Sequence, residues 1–266
     1  MDFLLMKDYS INFGNKNTWT DWHLVPTNRP VINPPQLKKK TIDIPGGNGS
    51  LDLSESLTGY PVFENRTGSI EFYAANEYEE NGTTIRPNWY ATYSDVMGYL
   101  HGKKMDMTLA EDPTFKYTGR FTVNQWNTQP GHSKITVDYD LEPYKRTLQS
   151  SVEADSWNLY YGDEAFDPKT KYKNVALTGG THTILTLSKE HYSDAPINPK
   201  FTVISAAGTV IYYYNSVFGL RQTFTLQNGV NYFPELVLYG NSIELTFAPP
   251  SGTNGTVSIV FNAGRF

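Results

Sequence analysis

Apolar residues recur at every second position through several stretches of this chain, the pattern of strands with one face buried. Ile70, Phe72 and Ala74 fall on one side of Ser69 to Ala74, and Ile135, Val137, Tyr139 and Leu141 alternate with Thr136, Asp138, Asp140 and Glu142. Met105 to Ala110 and Gly119 to Trp126 read as further strands, packed under a helix. That helix is predicted between Asn88 and His101, where Trp89, Tyr93, Val96, Met97 and Leu100 recur at helical spacing after Pro87 and before Gly102. Asn88 or Ser94 is placed to cap it, Gly102 suits a left-handed stop, and His101 lies near the negative end of the helix dipole. Upstream, Pro26, Pro30, Pro34 and Pro35 predict an extended run rather than a regular element. Lys38 to Ile44, the turn-forming Pro45-Gly46-Gly47-Asn48-Gly49 and Leu51-Asp52-Leu53 predict a strand, a tight loop and a strand.

The alternation stops at Glu142-Pro143-Tyr144, and the polar stretch Lys145 to Glu153 reads as an interdomain connection. This predicts an N-terminal domain over 1–148 and a C-terminal domain over 149–266. In the second half, strands are predicted at Thr183 to Leu187, Phe201 to Ile204, Val210 to Tyr214, Gln222 to Leu226, Ser242 to Phe247 and Thr256 to Phe261. Asn228-Gly229 and Gly240-Asn241 are hairpin signals. Ile243, Leu245 and Phe247 face one way and Glu244 and Thr246 the other, which fits an antiparallel sandwich. The fold class is mainly β with one helix.

Composition sharpens this picture. Charged residues make up 18% of the 266 and aromatics 14%, a balance suited to sheet surfaces and opposed to an all-helical protein. The net charge of −5, with no basic run longer than Lys38-Lys39-Lys40, argues against a nucleic-acid grip. With no cysteine there is no disulfide, thiolate nucleophile or Cys-based metal site. Met1 to Lys7 lacks a basic leader, so export by a signal peptide is not expected. The longest apolar stretch, Val203 to Tyr214, is interrupted and falls short of the roughly 20 residues that span a bilayer.

Candidate chemistry is sparse. Asp138, Asp140 and Glu142 share a strand face and in principle offer paired carboxylates or a hard-cation site, but a solvated sheet face is the favoured reading. Glu77, Glu79 and Glu80 read as an exposed loop. His23, His101, His132, His182 and His191 lack metal-binding spacing, and Gly46-Gly47-Asn48-Gly49 lacks the lysine and helix start of a phosphate loop. No G-x-S-x-G elbow occurs, and the sequons at Asn48, Asn65, Asn81 and Asn254 carry little meaning without a secretory leader. No catalytic, cofactor-binding or metal residue is assigned, and no enzyme activity is expected. Tyr212-Tyr213-Tyr214, Phe218, Trp157, Tyr160 and Tyr161 are open to three readings: buried core, protein contact or stacking on sugar rings. Trp157 and Tyr213 are the stacking candidates, and a carbohydrate-binding module for host-surface glycan is the alternative function.

A string of motifs over residues 10 to 146 resembles the distal tail protein (Dit) family of long-tailed, siphovirus-type bacteriophages and prophages. It comprises Trp19-Thr20-Asp21-Trp22-His23-Leu24, Arg29-Pro30, Pro34-Pro35 and Ile44 to Leu53, followed by Asn65-Arg66-Thr67-Gly68-Ser69-Ile70-Glu71-Phe72, Tyr99-Leu100-His101-Gly102-Lys103 and Gly119-Arg120-Phe121-Thr122-Val123. A weaker echo is Gly255 to Phe261, and the pattern departs at Glu79 to Asn88, where Asn81-Gly82-Thr83-Thr84 lengthens the loop before the helix. The resemblance implies a ring-forming belt domain with a projecting β-hairpin and a peripheral galectin-like β-sandwich. It further implies six copies around the tail axis, joining the tail tube protein to the tail-tip protein and often holding receptor-binding proteins, in a virion tail tip made in the bacterial cytoplasm. A ring lumen that is acidic or neutral, in keeping with the chain's negative charge, would let DNA slide past. Pro45, Gly46, Gly49, Leu51, Asp52 and Arg66 are the residues tied to assembly.

Overall fold

The alternating segment of the first half becomes the centre of an antiparallel sheet. A computed structural model describes residues 7–75, 77–80, 82–129, 132–157, 166–188, 193–215 and 219–266. Its contacts divide the chain into two units, Met1–Lys38 with Phe63–Lys145, and Lys39–Val62 with Arg146–Phe266.

In the first unit the strand order is Lys16–Asn17, Ile11–Phe13, Lys103–Leu109, Phe115–Gln129, His132–Leu141, Arg66–Ala75 and Leu24–Pro26, every pair antiparallel. Register follows the period-two pattern, setting Ile135 opposite Phe72 and Val137 opposite both Ile70 and Val123, so that their side chains fill one face. Phe13 packs edge-on against Phe121 at 4.9 Å between ring centroids, at the centre of this core.

The helix, Trp89–Leu100, lies across that face with Val96 and Leu100 buried. Of the two caps expected, Asn88 is the one used: its side chain accepts from the Ala91 N–H at 3.2 Å. At the other end the His101 N–H donates to the Met97 carbonyl, and Gly102 follows with φ +72°. Asp95 ties the helix to the opening segment, accepting from Lys16 Nζ at 2.7 Å and Trp22 Nε1 at 2.6 Å. These two hydrogen bonds hold the Asp95 carboxyl below the usual carboxylate range.

The second unit contains two four-stranded antiparallel sheets. One runs Val175–Leu177, Gly255–Val260, Lys200–Ile204 and Gly229–Tyr232; the other runs Thr183–Ser188, Ser242–Ala248, Val210–Asn215 and Leu220–Thr225. Phe201 of the first meets Phe247 of the second at 6.3 Å, edge to face, and Leu187, Ile211, Leu245, Val257 and Ile259 are buried around them. The strands are those the alternation predicts, with ends shifted by one or two residues and Leu226 and Phe261 left outside, and short ones are added at Val175–Leu177, Gly229–Tyr232 and Gly264–Arg265. A five-residue helix, Pro168–Tyr172, capped by Asp167, is the second helix among the described residues.

Four expectations are corrected. Gly240-Asn241 closes no hairpin, because Ser242–Ala248 pairs with Thr183–Ser188 and Val210–Asn215 while Gly229–Tyr232 before it lies in the other sheet. Asn228-Gly229 does not close a hairpin: Leu220–Thr225 pairs with Val210–Asn215, whereas Gly229–Tyr232 pairs with Lys200–Ile204 in the other sheet. The turn carries the chain from one sheet to the other, and Asn228 is held there by accepting from the Ala206 N–H. The segment before the helix is not a plain loop, because Tyr78–Glu80 and Thr83–Ile85 pair as a small hairpin. The polar stretch after Lys145 is no loose connection either. Thr147 and Ser151 are buried, with Ser151 Oγ donating to the Ile259 carbonyl at 2.6 Å and accepting from the Phe261 N–H at 3.0 Å. Its polarity serves the backbone of the C-terminal strand.

Candidate assembly surface

Five of the six residues tied to assembly lie on one exposed hairpin. Thr41–Asp43 pairs with Ser50–Asp52, and every residue of both strands is exposed. Ile42 stands directly opposite Leu51, and with Ile44 they give the hairpin an unprotected apolar face. The tip, Ile44 to Gly49, turns on Gly46 at φ +73° and Gly49 at φ +80°, conformations that L side chains rarely adopt, and is closed by the Gly47 N–H donating to the Ile44 carbonyl. Pro45 starts this turn with its fixed φ. At the base the Leu53 N–H donates to Lys40 at 2.7 Å. Asp52 accepts from the Ser54 hydroxyl at 2.5 Å and the Ser54 N–H at 2.8 Å, which together lower its pKa. A two-stranded hairpin is marginal by itself in water, so an exposed one carrying isoleucine and leucine calls for a covering surface.

Arg66 does not belong to this surface. It is 4% exposed, donating from Nε to the Pro143 carbonyl at 2.8 Å and from Nη1 to the Asn33 carbonyl at 3.2 Å, above the Tyr117 ring. Burial pulls its pKa below the ordinary arginine value. Within the described residues it joins three distant segments of the first unit, and a guanidinium so enclosed has no face to offer a second copy.

The first unit carries an aromatic patch of its own. Tyr93 stacks on Trp126 at 4.7 Å and 26°, and Trp89 and Tyr90 approach the same indole at 5.6 and 5.9 Å. Tyr90 and Trp126 are exposed. The helical periodicity places Trp89 and Tyr93 but passes over Tyr90, which lies off the buried stripe, and gives no reason to single out Trp126.

Neither stacking candidate of the second unit is available. Trp157 is 2% exposed, edge-on to Phe261 at 5.8 Å, and Tyr213 is 4% exposed, its hydroxyl donating to the Val237 carbonyl at 3.2 Å. Both are core. In the strand Val210–Asn215 the pleat turns Tyr213 inward and therefore Tyr212 and Tyr214 outward. Tyr160, Tyr161, His191 and Phe218 lie outside the described residues.

The carboxylates of the first sheet sit as a solvated face. Asp140 accepts from Asn65 Nδ2 at 2.7 Å and Glu142 pairs with Lys104 at 2.9 Å. Glu77 pairs with Arg86. Among the described residues no trio of histidine, aspartate or glutamate side chains is grouped to hold a metal ion.

No family model and no curated protein sequence matches the chain. Among solved structures, the crystal structure of the Dit protein (gp 19.1) of SPP1 superposes with a TM-score of 0.57 at 12% identity, covering 97% of this chain and 99% of that one. The chain shares the Dit fold. The SPP1 protein is described as a paradigm of the hub adsorption apparatus in phages that infect Gram-positive bacteria. At this identity the likeness is one of architecture, and it spans both units.

Proposed function

We propose that this chain is a structural hub subunit of a phage tail tip. Six copies close into a ring between the tail tube protein and the tail-tip protein, and the ring anchors peripheral components such as receptor-binding proteins. The observation that carries the reading is the Dit fold shared over nearly the full length of both chains. The exposed hairpin with Ile42, Ile44 and Leu51 agrees with it, being an apolar surface that a neighbouring copy would cover. In this reading residues 1–148, the hairpin included, form the belt, and the two four-stranded sheets of the C-terminal half are the peripheral, galectin-like domain. The role is assembly rather than catalysis.

Immunogold labelling of the phage particles that carry the protein tests the placement. Gold confined to the distal end of the tail is expected. Gold along the tail shaft, or on the head, would overturn it.

A further inference from the structure

The outer face of the sheet Thr183–Ser188, Ser242–Ala248, Val210–Asn215 and Leu220–Thr225 holds a hollow of about 560 Å³. Its lining includes His182, Tyr212, Tyr214, Arg221, Glu244 and Thr246. That volume lies within the range of small-molecule sites, roughly 300–1,000 Å³.

Strand register arranges the lining in two rows. In one, Ile184, Thr246, Tyr212 and Thr223 stand side by side across the four strands. In the other, Thr186 is opposite Glu244 and Tyr214 is opposite Arg221. Continuing the Tyr213–Leu245 pairing by one residue brings Glu244 beside Tyr214. Tyr214 therefore stands between a carboxylate and a guanidinium, each one strand away. Two strand spacings, roughly 10 Å, separate their backbones, with Tyr214 between them. Neither the Arg221 nor the Glu244 side chain makes a hydrogen bond or ion pair among the described residues. Tyr212 and Tyr214 are 46% and 57% exposed, and the His182 ring lies 6.4 Å from that of Tyr212.

We infer that this face binds a neutral glycan, its pyranose rings laid against Tyr212 and Tyr214 with hydroxyls reaching Glu244 and Arg221. The C–H face of a pyranose is apolar and suits a flat aromatic surface, while its rim of hydroxyls both donates and accepts. Glu244 only accepts and Arg221 only donates, so a hydroxyl-rich ligand satisfies both at once. One positive and one negative side chain leave the floor without net charge, which gives a polyanion or polycation no electrostatic advantage. The ligand lies on a sheet face and leaves the sheet edges untouched, so an added peptide strand is not the occupant this geometry favours. The inference is independent of the hub reading, because none of these residues is on the hairpin.

The test is titration calorimetry of the full chain with lactose, maltose and chitobiose, alongside poly(glycerol phosphate) as a charged comparison. Saturable binding of at least one of the three disaccharides is expected. Tyr214→Ala weakens it by about tenfold or more, the equivalent of about 1.4 kcal/mol, and Glu244→Gln weakens it in the same direction. Tyr232→Ala, an exposed tyrosine of the other sheet, leaves it within about twofold. Circular dichroism of each variant, all at exposed positions, reports an unchanged fold. Three results would overturn the inference: no saturation by any of the three disaccharides, binding that survives Tyr214→Ala, or stronger binding of poly(glycerol phosphate). The ring mass of Tyr214→Ala is expected to equal that of the unmodified chain, so a failure here is separable from a failure of the hub reading.

Discussion

Changing Ile42 to lysine and Leu51 to glutamate together is expected to keep the chain monomeric at concentrations where the unmodified protein is expected to form the proposed ring. The melting temperature is expected to move by no more than about 2 °C. Both residues are exposed and stand directly opposite each other, so no core contact is lost. Opposite charges across an antiparallel pair contribute about 0.2–1 kcal/mol, which preserves the hairpin while removing its apolar surface. Burying two such side chains against a neighbour contributes about 3 kcal/mol or more at each interface, a factor above about a hundred in association. Sedimentation velocity reads the outcome. A ring of unchanged mass in the double variant would mean that the hairpin does not hold copies together.

Asp194→Ala is expected to destabilise the second unit by about 3–5 kcal/mol. Its carboxylate accepts from Arg265 Nη1 at 2.6 Å, and the two side chains are nearly enclosed. Neighbouring backbone locks them in place. The Asp194 N–H donates to the Gly264 carbonyl at 2.9 Å, and Ser193 Oγ accepts from the N–H groups of Ala195 and Gly264. Removing the carboxylate takes away the counter-charge that Asp194 gives the buried Arg265 guanidinium, a larger penalty than the pair's own net contribution. Asp194→Ala combined with Arg265→Met is therefore expected to recover at least half of the loss, since both members of the buried pair are then gone. Urea unfolding followed by intrinsic fluorescence measures both. A loss below about 1 kcal/mol in the single variant would show the pair to be effectively solvated.

The sequence displays best those elements whose side chains alternate against a single core. Ile135 to Leu141 and Ile243 to Phe247 announce their buried faces because each strand has one wet side. The helix is legible for a related reason, with Asn88 at its start and Gly102 beyond its end. What is not legible depends on partners far along the chain. Asn228-Gly229 has the chemistry of a tight hairpin, yet Gly229–Tyr232 finds its partner in Lys200–Ile204. Thr147 and Ser151 look like linker residues until Ala263 and Ile259 are set beside them. Trp157 and Tyr213 have the composition of a sugar platform and are core, while Tyr212 and Tyr214, one residue to either side, take the outer face. Three consecutive tyrosines do not say which parity faces inward; Ile211 in the core settles it. The hairpin motif was visible as a turn between strands, but Arg66, grouped with it by the family resemblance, is a buried clamp.

Closure of the proposed ring is tested by light scattering of the purified protein over a concentration series, with negative-stain imaging of the largest species. A species near six times the 30.1 kDa chain mass, with a central hole, is expected. A single 30.1 kDa species at every concentration would contradict it.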